Sequence, residues 1–104
     1  MDLQIAYREE IDRQYVKARE AAETKPRLES GRVDRAYQLV LSEGFCEKMK
    51  QYQTTMNNCL CPDFQLRTSL CKHRIAFVFN WRAIQHVMAL IDADQLEVLY
   101  DIPA

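Results

Sequence analysis

Apolar residues recur at helical spacing in the first quarter of the chain. Five positions three or four residues apart form one stripe: Tyr7, Ile11, Tyr15, Ala18 and Ala22. Charged residues occupy many of the positions between them, so the pattern predicts an amphipathic helix over 3–24. Pro26 disfavours helical geometry at the residue before it, which should end the helix near Thr24. The stripe could pack on the rest of the chain or pair with the same helix of a second copy.

A second half-buried helix is predicted over 31–43. Its apolar positions follow the spacing i, i+3, i+4, i+7, i+8: Val33, Ala36, Tyr37, Val40 and Leu41. Ser30 is a suitable N-cap, and Gly44 is suited to the position just after the C-terminus. Together these signals predict a helix that presents one side to the core and a polar side, with Arg32 and Arg35, to solvent.

Residues 45–57 lose the helical periodicity and contain Phe, Tyr and Thr, which favour strands. Asn tolerates the left-handed backbone geometry of tight turns. We therefore predict a short β-hairpin, with one turn near Lys50–Gln51 and another at Asn57–Asn58. Cys46 would lie on a strand of this hairpin and face the core.

A long helix is predicted from about Ser69 to about Ile91, and we expect it to be the main core element. Its apolar stripe has helical spacing: Phe77, Trp81, Ile84, Met88 and Ile91. Near the start of the helix, Ile75, Val78 and Phe79 widen the stripe that we expect to be buried. Trp81 is expected to anchor the core and Met88 to fill it. After Asp92, the alternation of Leu96, Val98 and Tyr100 favours a short strand over a helical turn.

The composition suits one globular domain of 104 residues, 48% hydrophobic and 28% charged. We divide it into a helix and linker (1–29) and a main domain (30–104). No apolar run approaches ~18 residues, so no membrane span is expected. The charged N-terminal sequence lacks the apolar segment of a signal peptide. We therefore expect a cytoplasmic, reducing compartment, where structural disulfides are rare.

Charge is distributed unevenly along the chain although the net charge is only -1. Residues 25–82 carry ten Lys or Arg against five Asp or Glu, whereas residues 83–104 carry four acidic residues and no basic one. Six basic residues are candidates for phosphate contacts: Lys48, Lys50, Arg67, Lys72, Arg74 and Arg82. Uneven charge is also common in chains that bind no polyanion, so both interpretations stay open.

Three cysteines and a histidine lie within fifteen residues, as Cys59-x-Cys61 and, nine residues later, Cys71-x-His73. Three thiolates and one imidazole complete a four-coordinate zinc site. Cysteines two apart on a straight strand point to opposite faces, so the chain must turn at the first pair. Cys71 must lie at the start of the long helix, where the helix N-terminus favours thiolates.

Disulfides, unpaired cysteines and a catalytic pair account less well for the cluster than a metal does. Disulfides need an oxidising compartment, and unpaired buried cysteines would not account for the nearby His73. A catalytic Cys–His pair would need an oxyanion site or an orienting carboxylate, and the sequence shows neither. With four protein ligands the metal has no place for water, so we expect one structural Zn²⁺ and no enzyme activity. His86 is expected to be an ordinary helical residue and no ligand.

The stretches "CLCPDFQ" and "CKHRIAFV", with "GRVDRAYQLVLSEGF" before them, resemble the SWIM zinc finger over residues 30–82. The resemblance implies a zinc-stabilised ββα finger whose ligands are Cys59, Cys61, Cys71 and His73. It also implies DNA binding or protein–protein interaction, and it designates no base-reading residue. The predicted fold class is therefore α+β, a small finger packed with flanking helices. The glycine-marked hairpin of the family is missing here.

We expect this chain to bind nucleic acid, with DNA as the first candidate and Tyr52 or Phe64 able to contact bases. An isoelectric point near 6.1 counts against such binding, and the basic residues could instead balance the anionic zinc site. The alternative is a protein-interaction adaptor or inhibitor scaffolded by zinc. A homodimer through the N-terminal helix would be one form of it.

Overall fold

The computed structural model describes residues 2–25, 28–67 and 70–101, without the side chains of Arg67 and residues 94–101. Over this part of the chain there are five helices and no strand. The helices are α1 (Leu3–Thr24), α2 (Ser30–Val40), α3 (Phe45–Gln51), α4 (Pro62–Arg67) and α5 (Lys72–Asp101). The predicted α+β class is therefore wrong, and so is the ββα arrangement of the finger.

Helix α1 ends where Pro26 predicts, and it begins with a cap that was not predicted from the sequence. The Asp2 carboxylate accepts hydrogen bonds from the backbone N–H groups of Gln4 and Ile5, at 2.9 and 3.2 Å, and so caps the first turn. The helix ends at Thr24, one residue before the extended Lys25. Its predicted stripe faces the core, with Ile11 fully buried and the other four members packed against the core.

Helix α2 is shorter than predicted. It ends at Val40, and Leu41 caps it in right-handed helical geometry, so Gly44 does not terminate it. Ser30 is the first helical residue and Glu29 occupies the N-cap position, without a side-chain capping bond. Val33, Ala36 and Val40 are buried, as the spacing predicted.

The predicted hairpin is replaced by helix α3. A strand would place Phe45, Glu47 and Met49 on the same face, because strand side chains alternate. In the helix, Phe45 and Met49 lie one turn apart and pack on the core, while Glu47 is exposed. In the helix, Phe45 and Met49 can both be buried while Glu47 stays in solvent. This advantage outweighs the preference of Phe45 for a strand. Cys46 is accordingly exposed and does not face the core.

Helix α5 continues to Asp101, so the predicted C-terminal strand is wrong. No Gly or Pro interrupts the chain between residues 72 and 101, and nothing local ends the helix. It begins at Lys72, and the expected capping residues Thr68 and Ser69 lie outside the described residues.

The predicted stripe of α5 does not face the core, whereas Ile75 and Phe79, which were expected only to widen it, are buried. The buried residues of α5 are Ile75, Ala76, Phe79 and Ala83. On the opposite side Trp81, Ile84 and Met88 are 41, 43 and 57% exposed. The two buried alanines leave room for helices to approach closely, whereas the bulkier stripe would hold them apart.

The core is formed mainly where α1, α2 and α5 pack together, with α3 added at one side. A Tyr7 hydroxyl that donates to Asn80 Oδ1 at 2.6 Å also joins α1 to α5. Among the described residues, none of the helices is both long and apolar enough to cross a membrane. The loop between α3 and α4 and the start of α5 form a second, smaller cluster around the cysteines.

Candidate metal centre

The structure brings Cys59, Cys61, Cys71 and His73 together. Their candidate ligand atoms all lie within 4.8 Å of one another, and all four residues are buried. Sulfurs bound to one tetrahedral zinc ion at 2.3 Å would lie about 3.8 Å apart. The cluster therefore needs only a small contraction to hold one ion, and it is a possible metal-binding site.

A tight turn in the loop between α3 and α4 returns Cys59 to the site. The Thr55 hydroxyl accepts hydrogen bonds from the backbone N–H groups of Asn57 and Asn58, at 3.3 and 3.0 Å. The Leu60 N–H donates to the Tyr52 carbonyl at 2.8 Å and closes the reversal. The predicted turn at Asn57–Asn58 is thus a bend in a loop between helices, held by a threonine side chain.

Two sulfurs accept backbone N–H groups at the starts of helices. The Phe64 N–H of α4 donates to Cys61 Sγ at 3.4 Å, and the Arg74 N–H of α5 interacts with the Cys71 sulfur. Such groups stabilise thiolates. The sequence predicted this environment for Cys71 alone, because α4 was not expected.

Burial raises the pKa of the Cys71 thiol to about 12, and the neighbouring Cys61 and Cys59 add to the rise. The Cys71 thiol by itself therefore keeps its proton near pH 7. A divalent cation reverses that balance, because a coordinating thiol loses its proton outright. Cys71 thus favours either a proton or a metal in this pocket.

The buried imidazole of His73 fits a metal ligand. Its Nδ1 is buried and has no hydrogen-bond partner within the described part of the chain. An unsatisfied buried group of this kind costs about 1–3 kcal/mol, which a bound ion would relieve. Burial lowers the pKa of His73, and the positive charges of Lys72 and Lys48 lower it further. The ring is therefore neutral near pH 7, as coordination requires.

Two arginines join the site to the rest of the fold. Arg32 of α2 is buried and forms an ion pair with Asp63 of α4 at 3.1 Å. Arg74 donates two hydrogen bonds to the Met56 carbonyl, at 2.9 and 2.6 Å, and its guanidinium lies 5.1 Å from the Phe64 ring centroid. The helical pattern predicted that Arg32 faces solvent. Its ion pair with Asp63 was not foreseen, because only tertiary packing brings α2 close to α4.

No protein-family model, no curated protein and no solved structure matches this chain. The chemistry of the site is therefore inferred from this chain's own residues. The ring centroids of Tyr52 and His73 are 4.6 Å apart, and Tyr52 and Phe64 pack against the cysteines. Tyr52 and Phe64 thus line the site.

The basic residues predicted to contact phosphates do not form one surface. Lys48 and Lys50 are exposed on α3, and Lys48 Nζ lies 5.9 Å from the Tyr52 ring centroid. Lys72 is half-buried beside the cysteine cluster. Arg74 and Arg82 lie along α5, where Arg82 donates to Gln14 of α1 at 3.3 Å. The side chain of Arg67 lies outside the described residues.

Arg74 and Arg82 belong to a cationic groove that the sequence pattern did not indicate. It lies between α1 and α5, encloses about 350 Å³, and has an apolar floor that includes Val78 and Phe79. Four basic residues line it: Lys17, Lys25, Arg74 and Arg82. No Asp or Glu occurs among its described lining residues. Residues 1–24 carry more acidic than basic residues, so only the packing of α1 on α5 reveals this concentration of positive charge.

Proposed function

We propose that this chain is a non-enzymatic module built on one structural zinc ion and that it binds nucleic acid, with DNA as the first candidate. The observation that carries the zinc assignment is the convergence of three buried sulfurs with the buried imidazole of His73, whose Nδ1 has no hydrogen-bond partner among the described residues. Soft sulfur and imidazole ligands in this number suit Zn²⁺. The ion would hold the loop before α4 to the start of α5.

The ligand order resembles that of the SWIM finger, and the proposal keeps the resemblance for the ligand set: Cys59, Cys61, Cys71 and His73. The helices that surround the site differ from the ββα arrangement that the resemblance implied. Four protein ligands would fill a tetrahedral ion, so the proposed role of the metal is structural.

The buried carboxyl of Glu10 also supports a non-enzymatic role. Burial would raise its pKa, but hydrogen bonds from Gln14 and Arg13 outweigh burial and lower the pKa. General acids need the opposite shift. Glu10 therefore serves as a structural anion between α1 and α5, with His86 Nδ1 4.0 Å away.

Nucleic-acid binding is supported by the cationic groove between α1 and α5. Lys and Arg side chains without competing carboxylates are the groups that neutralise phosphates. Lys17 and Lys25 are exposed at the rim of the groove. Lys17 lies on α1 and Lys25 directly follows its end, so both could contact phosphates of one bound strand.

Fluorescence anisotropy with a labelled mixed-sequence duplex tests this proposal. We expect measurable binding at low salt that weakens steeply between about 50 and 200 mM salt. Lys17→Gln with Lys25→Gln should reduce the magnitude of the salt slope by about 2. The matched pair Lys48→Gln with Lys50→Gln on α3 should leave the slope unchanged if the groove is the contact surface.

If Lys48→Gln with Lys50→Gln reduces the slope and Lys17→Gln with Lys25→Gln does not, then α3 is the contact surface for nucleic acid. The absence of binding even at low salt would contradict the nucleic-acid proposal and favour the adaptor. The adaptor is the second candidate because α5 presents an apolar stripe to solvent, which is typical of protein-binding surfaces.

Native mass spectrometry tests the zinc assignment independently of any partner. We expect one zinc ion per chain, and loss of amide protection in residues 52–75 when a strong chelator removes it. A fully folded chain without metal would contradict the assignment.

A further inference from the structure

The groove between α1 and α5 has a floor that charge alone does not account for. Its lining includes the apolar side chains of Leu28, Leu70, Val78 and Phe79. Val78 is half-buried, and it lines the groove without being a member of the buried core. It therefore offers apolar surface that a ligand in the groove could cover.

Positive charge borders this floor from both helices. Lys17 of α1 and Lys25, directly after α1, are exposed at the rim. Arg82 of α5 is exposed too, and its guanidinium donates to Gln14 Oε1 at 3.3 Å, so α1 holds it at the groove. Because a guanidinium has five N–H donors, this bond does not prevent a contact with a phosphate. None of the described lining residues is Asp or Glu, so a bound anion meets no carboxylate there.

The combination of rim and floor distinguishes between the two forms of nucleic acid. A duplex carries its phosphates outside and keeps its bases stacked inside, so it could contact the rim and would leave the floor in water. A single strand has unpaired bases that can turn onto apolar side chains while its phosphates stay beside the cations. The groove encloses about 350 Å³, which is within the size range of pockets that hold small ligands, and it can therefore accept a base.

We propose that this groove binds single-stranded nucleic acid in preference to a duplex, with an unpaired base on Val78 and phosphates beside Lys17 and Arg82. The inference rests on the proposed nucleic-acid function and adds the form of the ligand. Each nucleotide of a single strand supplies both a negative charge and the flat face of a ring, which suits an apolar floor between cations.

Charge density alone would favour the opposite preference. A duplex carries one negative charge per about 1.7 Å of its axis, which is twice the density of either strand. Tighter binding of a single strand would therefore require contacts with its bases. The relative affinity of the two forms thus reports on the floor of the groove, whereas the salt dependence reports on its rim.

Fluorescence anisotropy on the full zinc-loaded chain at low salt tests the preference. Three labelled ligands of equal length are compared: a strand of about twelve thymidines, a mixed-sequence duplex, and a strand of abasic sites. The thymidine strand should bind about tenfold more tightly than each of the other two. Duplex binding that is equal or tighter would overturn this inference and leave the proposed function standing. The absence of binding to all three ligands would contradict both.

The abasic strand separates base contacts from phosphate contacts without any change to the protein. It keeps the phosphates and lacks the bases, so affinity equal to that of the thymidine strand would overturn the inference. Polyglutamate serves as a second probe, because an acidic peptide is the alternative occupant of the groove. If it displaces the thymidine strand at equal charge concentration, the groove selects charge alone and the inference is wrong.

Substitution of Val78 tests the placement of the base. Val78→Asn should weaken binding of the thymidine strand about tenfold and leave duplex binding unchanged, because it removes apolar surface without changing charge. Ile84→Asn is the matched control, since Ile84 is 43% exposed on α5 and does not line the groove. Circular dichroism and zinc content should be unchanged in both variants. Equal effects of the two changes would overturn the placement, and the abasic comparison decides the preference even if Val78→Asn fails to fold.

Discussion

At the scale of single residues, the metal cluster combines two kinds of side chain. Cys59, Cys61 and Cys71 offer sulfur, and the Thr54 hydroxyl lies 3.3 Å from Cys59 Sγ, within hydrogen-bonding distance. His73 offers a neutral nitrogen because burial and nearby lysines lower its pKa. Each of these groups would be costly to bury alone, and a shared ion would satisfy them together.

Replacing single cysteines by serine distinguishes the metal ligands from a cysteine that does not bind the ion. Cys71→Ser should abolish zinc binding in native mass spectrometry and lower the free energy of unfolding by more than about 3 kcal/mol. Cys46→Ser should change it by less than about 0.5 kcal/mol, since Cys46 is exposed on α3. Urea denaturation measures both values. Release of the metal by the Cys46 change alone would mean that the ligands are wrongly assigned.

At the scale of elements, α4 and its loop depend on a few links to the long helices. Their buried apolar cluster is small: it consists of the three cysteines, with Tyr52 and Phe64 packed against them. The Arg32–Asp63 ion pair supplies the link to α2, and the Arg32 side chain is only 5% exposed. The Asp63 side chain is 37% exposed, so the burial of this pair lies on the arginine. Removal of the Asp63 charge takes an ionic partner from a buried guanidinium, which costs more than loss of a surface pair.

The contribution of the Arg32–Asp63 pair to stability can be tested against Glu29, a second carboxylate near the same guanidinium. Asp63→Asn should lower the free energy of unfolding by about 1–3 kcal/mol and speed zinc release to a chelator. Glu29→Gln should cost less than about 0.5 kcal/mol, because Glu29 is 57% exposed and 3.7 Å from Arg32. Equal effects of the two changes, seen in urea denaturation, would show that burial does not set the strength of this pair.

At the scale of the whole molecule, α1, α2 and α5 form one core that carries both the metal cluster and the groove. Polar contacts along the α1–α5 interface accompany the apolar ones. Glu10 accepts from Gln14 Nε2 at 2.8 Å and from Arg13 Nε at 2.7 Å, and an Arg13 amino group lies 3.3 Å from His86 Nε2. This network makes the packing of α1 on α5 sensitive to pH.

The lowered pKa of Glu10 predicts the direction of that sensitivity. Ionised Glu10 stabilises the fold above its ordinary pKa, and this contribution is lost as the pH falls through the lowered value. Glu10→Gln should therefore cost about 1 kcal/mol at pH 7 and nothing in strong acid. Urea denaturation of both proteins across the acidic range measures the difference. A difference that does not vary with pH would contradict this role.

Local signals were sufficient for some parts of this fold. The extent of α1 follows from an apolar stripe and from Pro26, both of which act within a few residues. The grouping of the four candidate ligands follows from their spacing. The hairpin prediction was wrong because residues 45–51 carry mixed signals, and the burial of Phe45 and Met49 on the core decides between them.

The sequence by itself determined the N-terminal helix and the grouping of the four candidate metal ligands, because these depend on spacing and on chemistry within short stretches. Only the tertiary structure decided which apolar side of α5 faces the core, how Arg32 reaches Asp63, and where Lys17 and Lys25 meet Arg74 and Arg82. The physical reason is that these features join residues more than thirty positions apart. Spacing along the chain carries no information about which helices will pack together.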